Sequence, residues 1–196
     1  MLPSLEELLA ECERLHGHLC PGQVLCARMA VLGCHLLGLS DPRGAERKKL
    51  IVWVEIDRCL ADAIGAVTGV RLGRRSLKFL DYGKVAASFL NTATGRAFRI
   101  AALDSSRELA DRRYAALDER KTRQMRAYLE ASVEELFSVV RVKVKYEEAD
   151  APGRPRSRIT CEKCGEGVND SREILNTRGQ KFCRPCAAGG YYEVID

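Results

Sequence analysis

Residues 76–103 read SLKFLDYGKVAASFLNTATGRAFRIAAL, and this run decides the fold. Ser76–Leu80, Val85–Asn91 and Arg96–Leu103 are short apolar or alternating segments with the texture of strands. Asp81-Tyr82-Gly83-Lys84 and the Thr94-Gly95 pair supply turn chemistry between them. Connections this short predict an antiparallel meander. Upstream, Leu50–Ile56 is apolar and β-branched, as in a buried strand, and Cys59–Val67 reads as a helix closed by Gly69. Ser4 and Glu7 have capping-box spacing ahead of a helical stripe over residues 4–16. Pro21 sits where the first turn of a second, largely buried helix reaching Leu37 is expected. Downstream, Ser106–Phe137 carries one long charged helical pattern, and Val139–Tyr146 alternates apolar and basic residues as an edge strand does. The expected fold is α+β, with helices packed on an antiparallel sheet over residues 1–146.

A chain of 196 residues with 46% apolar content buries one sizeable core and leaves residues for an appendage. The N-terminal segment MLPSLEELLAECERLHGH carries acids where a signal peptide carries a basic region and an apolar one, so a helix in a cytoplasmic protein is expected. The longest apolar stretch, Val24–Leu39, is interrupted by Arg28 and His35 and is shorter than the roughly 20 residues a membrane span needs. The net charge of +5 is shared between both parts of the chain. Arg112, Arg113, Arg120, Lys121, Arg123 and Arg126 alternate with Asp111, Asp118 and Glu119, the pattern of a solvated helix face, which argues against nucleic acid as a partner.

Nine cysteines do not form an even disulfide framework. Cys161-Glu-Lys-Cys164 and Cys183-Arg-Pro-Cys186 are separated by 18 residues, a spacing suited to four thiolates on one zinc ion. Gly165 relieves the backbone after the first pair, and the second pair is expected to open a short helix whose free amides favour thiolate charge. A treble-clef or ribbon finger over 159–196 follows, joined by a Pro- and Arg-rich linker at 147–158. With four thiolates and no open position its zinc is structural, and the metal supplies the folding free energy of so short a segment.

His16, His18 and Cys20 alternate in a glycine-containing turn ahead of the second helix, and Cys59 and Asp62 stand in a comparable strand-to-helix turn. Soft and imidazole donors in two such loops can share a metal, or pair a thiol with a base for nucleophilic chemistry. The same residues can equally be caps and core filler. Cys12, Cys26, Cys34 and His35 fall on helical faces and read as core.

The string His16-Gly-His-Leu-Cys-Pro-Gly22, the Glu55–Gly69 segment with Cys59, Asp62, Ala63 and Ile64, and Asp81-Tyr-Gly-Lys84 resemble the E-subunit family of formylmethanofuran dehydrogenase over residues 10–103. This chain has Arg75-Ser76 where that family usually has Gly-Asn. Some members carry a C-terminal treble-clef finger. The resemblance implies an α+β core, a tight homodimer and a pocket gathering both loops, with His16, His18, Cys20 and Cys59 as candidate ligands of a second transition metal. It places Asp62 as their neighbour and Tyr82 and Lys84 as pocket residues. It also implies an accessory metal-binding role in one-carbon, methanogenesis-type metabolism beside protein partners of a molybdenum or tungsten oxidoreductase, with the catalytic pterin carried by a different polypeptide and no catalytic residue assigned here. An enzyme built on the Cys/His loops and a zinc-finger interaction module are the competing readings.

Overall fold

In the computed structural model residues 1–147 and 150–195 are described, and they divide into two compact units, Met1–Lys145 and Tyr146–Asp196. The first unit opens with α1 (Leu5–His16) and α2 (Pro21–Leu37), continues through β1 (Leu50–Val54) and α3 (Cys59–Thr68), and adds β2 (Leu77–Phe79), β3 (Ala86–Asn91) and β4 (Ala97–Ala102). It ends with α4 (Ser105–Arg113), α5 (Arg120–Glu130), α6 (Val133–Leu136) and β5 (Phe137–Arg141). The Ser4 hydroxyl accepts from the Glu7 amide while the Glu7 carboxylate accepts from the Ser4 amide, so the expected capping box starts α1.

The five strands lie in the order β2-β1-β3-β4-β5. Register fixes Val52 against Phe89 and Phe89 against Phe98, and β5 forms an edge beside β4 with Ile100 opposite Val139. The expected meander holds for β3 and β4 and fails at β2, while the expected edge strand is β5, which starts earlier, at Phe137, and joins β4 antiparallel after the three helices. The β2 strand runs parallel to β1, pairing Val52 with Leu77, on the side away from β3. The α3 crossover carries the chain over the sheet between them, and parallel neighbours require such a crossover. Residues 81–84 therefore bridge past β1 rather than closing a hairpin. The turn ahead of β2 puts Arg75 at φ +59°, left-handed backbone that favours glycine, while the Ser76 hydroxyl accepts from the Arg71 amide.

The single long helix expected over 106–137 is three helices. A straight helix of that length would run ~48 Å and could not lay both ends on one core. Instead the Arg123 guanidinium donates to the Leu117 and Asp118 carbonyls and to Asp111, folding α5 back beside α4. Ala110 on α4 and Ala127 and Tyr128 on α5 are buried as a result. Ser132 and Glu135 then form a second capping box that starts α6.

The core lies between the helices and one sheet face, with Leu8, Met29, Ile64, Val52, Phe89 and Ile100 almost wholly enclosed. Gly33 on α2 permits the close approach, since a Cβ there would sit 2.6 Å from the Phe89 ring. Cys12, Cys26 and Cys34 are buried as expected, and burial pushes the Cys12 and Cys34 thiols up to about 11 and about 12. His35 departs from that expectation: it is exposed, on the solvent side of the last turn of α2.

The second unit is built from two small hairpins, β6 (Arg158–Thr160) with β7 (Gly167–Asn169) and β8 (Ile174–Leu175) with β9 (Lys181–Phe182), followed by α7 (Arg184–Ala188). Of the stretch expected as a linker, residues 148 and 149 lie outside the described residues. The remainder is tied to the hairpins: Asp150 pairs with Arg172, and the Ser157 hydroxyl accepts from the Ser171 amide at 2.8 Å. No helix among the described residues is long and apolar enough to cross a membrane.

Candidate metal centre and cleft

Two groups of donor atoms gather among the described residues, one in each unit. In the second unit the sulfurs of Cys161, Cys164, Cys183 and Cys186 lie within 4.8 Å of one another. Thiolates held at about 2.3 Å on a tetrahedral ion stand ~3.8 Å apart, and the Cys164 and Cys183 sulfurs are 3.9 Å apart. The local sequence explains the geometry. Gly165 takes φ +76° directly after the first pair, and Cys183 stands at the N-cap of α7 with Pro185 in its first turn. The Cys183 amide donates to the Cys161 sulfur, and backbone hydrogen bonds, from Cys164 first, lower that thiol to about 6. The neighbouring sulfur of Cys183 and then burial push Cys186 up to about 12. The cluster can hold a metal such as zinc.

In the first unit the sequence brings three donors to one point from two loops. His16 is the last residue of α1, Cys20 is the N-cap of α2 and Cys59 is the first residue of α3. Their ligand atoms lie within 4.8 Å of one another. The Cys20 and Cys59 sulfurs are 3.6 Å apart, and His16 Nε2 is 3.7 Å from the Cys59 sulfur. A thiolate and an imidazole sharing a tetrahedral ion stand ~3.6 Å apart, so this spacing also fits a metal. Asp62 Oδ2 lies 2.8 Å from His16 Nδ1, the carboxylate–imidazole arrangement that orients a ligating histidine and leaves Nε2 free to coordinate. The His18 ring lies tilted beside that of His16, with centroids 4.9 Å apart, and stays outside the trio.

The approach of the two loops depends on Gly22. A Cβ there would lie 3.1 Å from the Cys59 sulfur and 3.6 Å from that of Cys20. The buried Gln23 side chain ties the same loops by donating to the Cys59 carbonyl at 3.2 Å, while the Gln23 backbone N–H donates to the Cys20 sulfur. Its Oε1 is buried without a partner. Burial, and then the hydrogen bond and charge of Cys20, push the Cys59 thiol up. The first turns of α2 and α3 point their positive ends at both sulfurs and oppose that shift.

Cys20, Cys59 and His18 open onto a cleft of about 1020 Å³. Its apolar floor includes Leu25, Ile56 and Leu60, and α5 supplies Gln124 and Tyr128 opposite. Lys84 lines this cleft, whereas Tyr82 lies apart in a shallow depression of about 290 Å³ with Trp53 and Arg99. Reading the sequence missed Gly22 as a contact residue, Gln23 as the tie between loops, and α5 as a cleft wall. The 3.6-residue period of 120–130 was visible, but the break that folds it back was not.

Comparison with known proteins agrees with this architecture. A curated relative in Archaeoglobus fulgidus, named a probable S-adenosyl-L-methionine-binding protein, is 27% identical across 97% of this chain, and the chain spans only 55% of that protein's length. The crystal structure of a tungsten formylmethanofuran dehydrogenase FmdE-like protein from Syntrophus aciditrophicus superposes with a TM-score of 0.63 at 20% identity, covering 97% of this chain and 96% of that one. At that identity the likeness establishes the fold. The FmdE family, described as "Molybdenum formylmethanofuran dehydrogenase operon", matches residues 15–138, a span that holds the donor trio, the cleft and β1 to β4 of the sheet. The chain belongs to the FmdE family.

Proposed function

We propose that the first unit is a metal-dependent small-molecule-binding protein serving one-carbon metabolism of the formylmethanofuran dehydrogenase type. The observation that carries this reading is the His16, Cys20 and Cys59 trio, with His16 oriented by Asp62 and the two sulfurs open to the cleft. Three protein donors with a remaining position are the arrangement of reactive metal sites, where the ion supplies Lewis acidity, whereas four thiolates are the arrangement of structural ones. In this reading Cys20 and Cys59 hold the ion at the cleft floor, Asp62 fixes the His16 tautomer, and the apolar walls exclude water from whatever binds above. His18 and Lys84 face that space and orient a ligand. The 159–196 finger, with zinc on its four cysteines, is a docking element for a protein partner. The same reading takes the protein as a cytoplasmic homodimer beside the other components of a molybdenum or tungsten oxidoreductase, a setting drawn from the family's description. S-adenosyl-L-methionine enters as a trial ligand through the name of the Archaeoglobus relative.

Metal analysis of the purified full chain tests the core site. Two metal ions per chain are expected, falling to one when Cys20→Ser and Cys59→Ser are combined. One ion per chain, unchanged by that pair, overturns it. A second reading, a thiol nucleophile with His16 as its base, is favoured by the 3.7 Å spacing of Cys59 and His16. It predicts fast alkylation of Cys59 at neutral pH in the metal-free chain. The upward push on that thiol predicts slow alkylation instead.

A further inference from the structure

The cleft has a charge pattern that the metal trio does not account for. Arg58 at the N-cap of α3, Lys84 between β2 and β3, Arg107 on α4, and Arg120 and Lys121 at the start of α5 all line it. All five are exposed, and among the described residues none of their side chains makes an ion pair or hydrogen bond. Arg99 also reaches the cleft, but its charge is taken by Glu55 through two bonds of 2.7 Å. Asp104 is the single unpaired acid on the same lining. These five cations come from four separate pieces of chain, so their meeting is a product of the fold rather than of a basic run. Elsewhere the arginines of α4 and α5 find acids: Arg112 pairs with Glu108, Arg113 with Glu135, Arg123 with Asp111 and Arg126 with Glu130. Gathering unpaired like charges around a concave, low-dielectric floor is unfavourable until an anion enters, and such a cleft concentrates anions from solution.

The floor restricts which anion. Pro21, Ile56, Val85 and Leu103, all half-buried, offer apolar surface in a space large enough for a cofactor-sized molecule. An inorganic anion would leave that surface wet. We infer that the cleft takes a small organic anion carrying two or more negative charges. Its anionic groups meet Arg58, Lys84, Arg107, Arg120 and Lys121, its uncharged body lies on the apolar floor, and its far end reaches Cys20 and Cys59. This rests on the cleft being the small-molecule site proposed above, and extends that reading by fixing the charge of the ligand. It also argues against a ligand whose binding depends on a sulfonium cation at the rim.

Calorimetric titration of the full chain with a naphthalenetrisulfonate tests this, because the probe joins an apolar body to fixed negative charge and does not chelate metals. Binding at low salt that weakens as salt rises is expected. Combining Arg107→Gln, Arg120→Gln and Lys121→Gln should weaken it by about tenfold, the product of three modest exposed ion pairs. Combining Arg47→Gln and Lys48→Gln, in the exposed loop before β1, should leave it unchanged. Displacement of the probe by adenosine monophosphate assigns phosphate chemistry to the ligand, and displacement by benzenetricarboxylate assigns carboxylate chemistry. Absence of binding at low salt, equal losses in the two variants, or displacement by neither competitor overturns the inference. The chain carrying Cys20→Ser and Cys59→Ser keeps failure here distinct from failure of the metal reading. Trisulfonate binding that survives in it stands on the cations alone, whatever metal analysis returns.

Discussion

The two donor clusters differ in what holds them together. All four sulfurs of the finger fall between Cys161 and Cys186 on two local turns, and among the described residues of that unit only Cys161 and Cys183 are buried. The core trio draws on His16, Cys20 and Cys59, and these meet because α1, α2 and α3 pack around an apolar interior that exists without any ion. One cluster is set by two local turns; the other is set by the packing of three helices. Chelation should therefore separate them by the largest effect in the molecule. Removing metal, or Cys161→Ser, should unfold the finger outright, since zinc contributes about 10–16 kcal/mol of apparent folding free energy in such modules. Fluorescence of Trp53, the single tryptophan and a residue of β1, should report an unchanged first unit. A matching shift of the Trp53 unfolding midpoint would break the contrast.

The converse substitution is Phe89→Ala. Phe89 is wholly buried in β3 and fills the space left by Gly33, so its removal should cost the first unit about 3–5 kcal/mol in denaturant titrations followed by Trp53. Metal retention by the four-cysteine cluster, followed with a chromogenic chelator, should not change.

The same contrast explains how much was legible in the sequence. The gathering of Cys161, Cys164, Cys183 and Cys186 and the short closing helix follow from spacing alone, because two local turns are enough to bring the sulfurs together. Helix starts at Ser4 and Pro21 were legible for the same reason: a cap is decided by neighbours in the chain. The parallel placement of β2 was not, since its partner is selected by the α3 crossover rather than by the turn at 81–84. Nor was the fold-back of α5, which rests on Arg123 reaching carbonyls of the preceding loop. Arg120 and Lys121 carried the pattern of an ordinary solvated face, and only that fold-back turns them toward the cleft. In the core site the candidate residues were visible as types. Which of them converge, His16 rather than His18, depended on the corner between α1 and α2.

Asp62→Asn should sharpen the comparison at the site itself. The carboxylate sits 2.8 Å from His16 Nδ1 and touches neither sulfur at hydrogen-bond distance, so it acts by orienting the imidazole. Losing that support should weaken metal affinity at the core site by about 10–100-fold while leaving the finger's affinity unchanged. Competition with a calibrated chelator reads both sites in one titration. Equal affinities before and after the substitution would show that His16 does not ligate.

The smallest effect is a pH dependence confined to the first unit. The backbone amide of Ser132, and then the Arg113 guanidinium, hold the Glu135 carboxyl below its ordinary 4.5, and the amide of Ser4 does the same for Glu7. A carboxyl whose pKa is lower folded than unfolded contributes stability that is present above about 4.5 and is lost as pH falls through the folded value. Trp53-monitored stability should therefore decline below pH about 4.5, and Glu135→Ala should flatten that decline while leaving the neutral-pH core packing intact. Ser132→Ala removes the other half of the cap and should cost about 1 kcal/mol at neutral pH. The α6 helix it starts is only four residues long, and Leu136 at its end is wholly buried in the core. An unchanged acid slope in Glu135→Ala would mean that Leu136 burial alone holds this turn, and that the cap contributes to where α6 begins rather than to how firmly it stays.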